Sequence, residues 1–245
     1  QISGLAIGNG WISPEVQYDV SEFVYSLGVI SLEQRETLKG SERQCQAALK
    51  RGQLDSSVCY SLLDHVIAAS TLNGHQLNMY DAREYLPVSN NFPRGHQQVE
   101  TYLNLPEVRS AIHASDAQHK FMECADEPYR ALKHQDGKGV TRELVEVLEA
   151  GVRVLLFAGQ FDVIVNHLGT ERMLRDLQWS GKSQYAQAVN GVFMMKKIPA
   201  GYVREYNNLA SAVISGAGHM VPMDKPAESK ELIRRFVDGV SLKDG

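Results

Sequence analysis

The arrangement of apolar and polar side chains changes character near residue 140. From about 15 to 85 the apolar residues recur at helical spacing, as in Val20, Phe23, Val24 and Leu27 and again in Val58, Leu62, Leu63 and Val66, with few β-branched runs. This predicts a helical region of roughly seventy residues. Ahead of it, "GLAIGNG" (residues 4–10) reads as a short strand ending in a glycine turn, and Ser13-Pro14-Glu15 as a helix start. Residues 88–95, "VSNNFPRG", are dense in turn formers and read as the linker back from the helical excursion.

After residue 140 the elements alternate. "TRELVEVLEAG" places Leu144, Val145 and Leu148 on one helix face with Gly151 at its end. The run Arg153–Ala158, "RVLLFA", is continuously apolar, as expected of a central parallel strand covered on both faces. A loop and a further helix follow. "GVFMMKKIP" and "GYVREYNNLASAVISG" then read as a hairpin whose second member continues into a strand at 212–215. The last helix carries Pro226 in its first turn, Glu228 and Glu231 early and Arg234 and Arg235 late, with Leu232, Ile233, Phe236 and Val237 facing inward. Helices and strands in alternation predict an α/β sheet with right-handed crossovers.

Composition narrows the partners. The chain has 245 residues, is 43% apolar and carries a net charge of −4, so it is long enough to bury a sizeable core. Its longest basic run is the Lys196-Lys197 pair, which gives no reason to expect nucleic acid or an anionic membrane. No apolar stretch approaches the ~20 residues that span a bilayer. The opening at Gln1 has neither an initiator Met nor the layout of a signal peptide, and reads as the interior of a longer sequence.

Cys45, Cys59 and Cys124 lack Cys-x-x-Cys spacing, and His65, His75, His96, His113, His119, His134 and His167 show no metal-ligand pairing, so neither a metal nor any other cofactor is expected. The cysteines are either buried thiols or a Cys45–Cys59 disulfide with Cys124 single or paired elsewhere.

In sheets of this kind catalytic groups gather at the carboxyl ends of the strands. Asp162 lies four residues after "RVLLFA" and His219 four after "AVIS", each behind a glycine that permits a tight turn. Either alone would read as a helix cap or a surface histidine. Together, acid first and histidine second, they follow the α/β-hydrolase order, in which the imidazole moves a hydroxyl proton and the carboxylate fixes its tautomer.

"GHMVPMDKP" and "FAGQFDVIVNHLGTE", together with "GLAIGNGWISP", "LNMYDARE" and "YLNLPEVRSAIHA", resemble the serine carboxypeptidase family over nearly the whole chain and in order, "GQFDVIV" being most like its vitellogenic-like branch. The resemblance implies the C-terminal part of an α/β-hydrolase fold: a core strand in 1–12, a helical cap over 13–100 and the rest of the core over 101–245. It implies His219 as the triad histidine and Asp162 as the triad acid. It also implies Met220 as lining the pocket of the departing residue, against ordinary packing as the alternative. Many members have a Cys where this chain has Val165 before Asn166, so that family disulfide is not expected here.

No Gly-x-Ser-x-Gly elbow occurs, and Ser215 reads as a strand residue. The resemblance therefore places the nucleophilic serine upstream, in an N-terminal chain of the same precursor, with a peptide or protein C-terminus as substrate and a lysosome, vacuole or secretory compartment as the setting. A half-sheet with open edges calls for such a companion, and leaves room for a homodimer. Tyr80, Asp81 and Arg83 in "NMYDAR" read as structural connectors near the cleft. The rivals are a carboxypeptidase-like scaffold without catalysis and an acyltransferase of the same fold.

Overall fold

The structure is a computed structural model that describes residues 2–89, 92–93 and 95–243. Gln1, the linker positions Asn90, Asn91 and Arg94, and residues 244–245 lie outside the described residues.

Strand β1 (Gly4–Gly8) leads into the short helices α1 (Pro14–Gln17) and α2 (Ser21–Ser26) and the long pair α3 (Leu32–Lys50) and α4 (Ser57–Ser70). Ser31 starts α3 through a capping box, its hydroxyl accepting from the Gln34 amide at 3.3 Å while the Gln34 side chain accepts from the Ser31 amide at 2.7 Å. A disulfide between Cys45 and Cys59 joins α3 to α4 and settles the cysteine question; Cys124 is free and exposed. Phe23, Val24, Leu38, Leu62 and Val66 pack around the disulfide, and Val163, from the loop beyond the central strand, is buried in the same cluster.

The helical expectation fails over its last ten residues or so. There β2 (His75–Asn78) and β3 (Asp81–Pro87) form an antiparallel hairpin. Asn73 and Gly74, both at positive φ (50° and 76°), end the helical path and turn the chain into the hairpin. Burial alternates along β3, so its period is two and not 3.6. Three short helices follow, α5 (His96–Leu103), α6 (Pro106–Ala111) and α7 (Asp126–Leu132), none with a fully buried residue.

Helix α8 (Thr141–Glu149) buries Leu144 and Leu148 and hands over through Gly151, at φ +74°, to β4 (Arg153–Gly159). Beyond it come α9 (His167–Asp176), α10 (Lys182–Gln187), β5 (Gly191–Met195), β6 (Ile198–Tyr206), β7 (Leu209–Ile214), α11 (Val221–Asp224) and α12 (Pro226–Asp238). The sheet order is β1-β4-β7-β6-β5, with β1, β4 and β7 parallel and β7, β6 and β5 antiparallel.

The supposed single second strand is thus two. Asn207, at φ +51°, and Asn208 reverse the chain between β6 and β7, asparagine being one of the few residues that takes this backbone cheaply. The Asn208 side chain then donates to the carbonyls of Leu148 and Val152 at 2.8 and 2.9 Å, pinning the turn beneath α8. Ser215 falls one residue past β7, its amide donating to Ala200 O at 2.9 Å. In α12, Leu232 is fully buried but Val237 is 64% exposed, because five residues of helix carry it about 140° round from Leu232.

Candidate active site

Two loops leave the carboxyl ends of β4 and β7 and run against each other. Gly159 ends β4 where a Cβ would sit 1.9 Å from the Gly218 carbonyl oxygen, so the approach depends on the absent side chain. Phe161 N donates to Ala217 O at 2.8 Å, and the Gln160 side chain accepts from Gly216 N at 3.1 Å.

This packing brings the two sequence-selected residues together. His219 Nδ1 lies 2.8 Å from Asp162 Oδ2, with Asp162 fully buried and the His219 side chain 25% exposed. Asp162 accepts two further hydrogen bonds, from Asn9 Nδ2 to Oδ2 at 2.5 Å and from Val165 N to Oδ1 at 3.0 Å. A carboxylate is acceptor-only, so the contact is a hydrogen bond when Nδ1 carries the proton, the tautomer that leaves the Nε2 lone pair for another partner. Chemically, this is an oriented imidazole base backed by a buried anion.

Asn9 is the site residue that sequence reasoning missed. It stands at φ +49° just past β1, where asparagine tolerates the left-handed conformation and its amide reaches the acid. The available signal was the one that found the other two, a polar residue beside glycine at the carboxyl end of a core strand.

The turn of the β2–β3 hairpin touches both loops. Met79 O accepts from Val163 N at 3.2 Å and Ile164 N at 3.0 Å, Tyr80 O accepts from His219 N at 2.6 Å, and Ala82 N donates to Phe161 O at 2.9 Å. The Tyr80 ring meets the imidazole edge-on at 5.4 Å, and burial, followed by the nearby Cys124, raises the Tyr80 pKa. Met220 follows the histidine, 38% exposed, in a small hollow with Tyr80, Asp81 and Met223. Beyond the acid loop lies a larger cavity of ≈ 480 Å³, walled by Trp11, Tyr18, Tyr60, Leu62, Ile164 and Val165 among others. Burial, reinforced by the 2.8 Å hydrogen bond from its hydroxyl to Asp136, holds Tyr18 in its neutral form. Asn166 caps α9, accepting from Gly169 N at 3.0 Å. Among the described residues, no group of three or more His, Cys, Asp or Glu side chains is placed to hold a metal ion.

Comparison with known proteins bears on the family and the fold. Residues 1–239 match the serine carboxypeptidase family. The chain is 36% identical over 248 residues to the pheromone-processing carboxypeptidase KEX1 of Phytophthora infestans, covering 99% of this chain and 42% of that protein. It is 34% identical to serine carboxypeptidase S10 family member 2 of Dictyostelium discoideum, covering 45% of it. The crystal structure of Kex1Δp, a prohormone-processing carboxypeptidase from Saccharomyces cerevisiae, superposes with a TM-score of 0.84 at 24% identity, over 99% of this chain and 56% of that one. That likeness shows the α/β-hydrolase fold. The chain spans less than half the length of these curated relatives.

Proposed function

Because the chain belongs to the serine carboxypeptidase family, we propose that it supplies the general base and its orienting acid to a hydrolase that removes the C-terminal residue of peptides. The observation that carries this reading is the 2.8 Å contact between His219 Nδ1 and a fully buried Asp162. The serine belongs to an upstream portion of the same precursor. Its hydroxyl attacks the scissile carbonyl while His219 Nε2 takes the proton. The tetrahedral intermediate collapses as Nε2 returns that proton to the departing amine, and a water molecule repeats the cycle on the acyl-enzyme. Asp162 keeps the ring in the Nδ1–H tautomer and stabilises the imidazolium without itself moving a proton.

Two features favour an upstream portion. Strand β1 is an edge of the described sheet although its only partner is parallel, and Leu5 on it is 36% exposed, whereas parallel strands are normally covered. Helices α5 to α7 leave Val99, Tyr102, Tyr129 and Leu132 exposed, apolar side chains that a companion segment would cover. In this reading the ≈ 480 Å³ cavity takes a substrate side chain, and Met220 borders the space for the departing residue. The disulfide between α3 and α4 favours an oxidising setting, in the secretory pathway or a vacuole.

The test is peptide hydrolysis by the protein carrying its upstream portion, compared with Asp162→Asn and His219→Ala. Asp162→Asn is expected to lower kcat by about 10⁴-fold and His219→Ala by about 10⁶-fold. Variants as active as the parent protein would refute the assignment.

A further inference from the structure

We propose that Arg83 is a positioning residue for the His219–Asp162 pair, its guanidinium holding the two loops that carry them in one register. This rests on the roles given to His219 and Asp162 above.

Arg83 lies on β3, outside both loops, and reaches each of them. Its Nε and Nη2 fork onto Asp81, donating to Oδ1 at 2.8 Å and to Oδ2 at 2.5 Å. The same Nη2 donates to Asp224 Oδ2 at 3.0 Å, while Nη1 donates to the Gly216 carbonyl. The guanidinium also lies over the ring of Phe161, 5.3 Å from its centroid, and Phe161 immediately precedes Asp162. One side chain therefore contacts the acid loop at Phe161 and the histidine loop at Gly216. Through Asp224, whose Oδ2 also accepts from Gly218 N at 2.7 Å, it reaches the residue next to His219.

The histidine loop needs such a hold. Gly216 and Gly218 flank Ala217, so the backbone there has little stiffness of its own. Gly216 sits at φ +69°, and a Cβ on Gly218 would lie 2.5 Å from the Tyr80 carbonyl oxygen. The loop thus gains close contact with the hairpin by giving up side chains that would stiffen it, and the Asp81–Arg83–Asp224 bridge supplies the constraint from outside. Asp81 and Asp224 are 9% and 6% exposed in their side chains, and the cation that bonds both is 37% exposed. Ion pairs with so accessible a cation add little to global stability, so the bridge acts mainly on where the loop sits. Lysine offers a point charge and no planar fork, so it cannot reproduce contacts to Asp81, Asp224 and Gly216 together.

The experiment compares Arg83→Gln, Arg83→Lys and Asp224→Asn with the parent protein by hydrogen exchange of the Gly218 and His219 amides, by the His219 Nδ1 proton resonance, and by kcat and KM separately. The proposal expects Arg83→Gln to stay folded, to exchange the Gly218 and His219 amides at least about tenfold faster than the parent, and to lose the slowly exchanging Nδ1 proton. It expects kcat to fall about 10- to 100-fold with KM within about twofold, the signature of misplaced groups and not of lost binding. Arg83→Lys should recover only part of the loss, and adding Asp224→Asn to Arg83→Gln should worsen it little, since both act through one bridge. Unchanged exchange at Gly218 and His219 in folded Arg83→Gln, or acceleration spread evenly over the chain, would overturn the proposal. If the parent protein hydrolyses no peptide, the catalytic assignment fails by itself, and the exchange and proton measurements still decide whether Arg83 sets the loop. Should Arg83→Gln not fold, Asp224→Asn leaves the fork on Asp81 in place and is held to the same exchange criterion.

Discussion

Asn9→Asp should convert the support of the acid into a pH-dependent liability. The substitution changes almost no volume and suits the positive φ of 49° as asparagine does. It replaces the amide that donates to Asp162 Oδ2 at 2.5 Å by a second carboxyl group. Two buried carboxylates at that distance cannot both stay charged, so the cluster takes up one proton that the parent does not bind. Protonating an ordinary aspartate, pKa about 3.9, at pH 7 costs about 4 kcal/mol at 1.36 kcal/mol per unit, which is the ceiling of the penalty; a proton held by His219 lowers it. The folded variant binds more protons than its unfolded chain, so its stability is present at low pH and is lost as pH rises. Urea unfolding between pH 4 and pH 7 should show the gap between variant and parent widening by up to about 1.4 kcal/mol per pH unit. Asn9→Ala, which loses the hydrogen bond and strains the backbone without adding charge, should show a gap of about 2–4 kcal/mol that is flat with pH. A flat gap for Asn9→Asp as well would mean that the Asn9–Asp162 contact is not the buried bond described here.

Gly159→Ala should destabilise the chain by about 3 kcal/mol or more in urea unfolding, because the new Cβ meets backbone oxygens of Gly218 and Ala217 that cannot rotate away; a loss under about 1 kcal/mol would sink the close-approach argument. Glu42 is 4% exposed and accepts from the amides of Val20 and Ser21 at 2.8 and 2.7 Å, and burial, then the charge of Asp19, raises its pKa. Asp19 is raised too, chiefly by burial and against the pull of Arg172, 2.9 Å away. Acids with raised folded pKa values stabilise on the acid side and lose that contribution as pH climbs through the folded value, so the parent Tm should rise on acidification from neutrality toward the ordinary carboxyl range, and Glu42→Gln should flatten the slope; an unchanged slope would count against the pair. Replacing Cys45 and Cys59 by serine opens a link across 14 residues and should lower stability by about 3 kcal/mol, read from the same unfolding curves; a loss near zero would show that the link constrains little.

What the sequence disclosed depended on whether the signal was local. The pairing of Asp162 with His219 was legible because both lie shortly after a strand and behind glycine, on loops that an α/β sheet brings to one edge. Strand β4 was legible because a parallel strand covered on both faces has no polar positions to confuse its reading. The β2–β3 hairpin was not, since its few apolar positions continue the spacing of α4 closely enough to suggest more helix, and the Asn73-Gly74 turn is the one local sign against it. The β6–β7 turn was missed in the same way, its two asparagines lying inside what looked like one long strand. The disulfide stayed open because spacing alone does not say whether two helices face each other. Asn9 carries the same local sign, a polar residue beside glycine after a strand, but its partner Asp162 lies 153 residues away; Arg83 reads from the sequence as a connector near the cleft, and its contact with Gly216, 133 residues away, needs the folded chain.

In the proposed function His219, backed by Asp162, activates a serine carried elsewhere in the same protein. The most direct measurement is fluorophosphonate labelling of the protein with its upstream portion, followed by mass mapping of the labelled residue, in the parent and in His219→Ala. The account predicts label on one serine outside the residues described here and its near-complete loss in the variant. Labelling that is absent from the active parent, or that persists undiminished without His219, would contradict it.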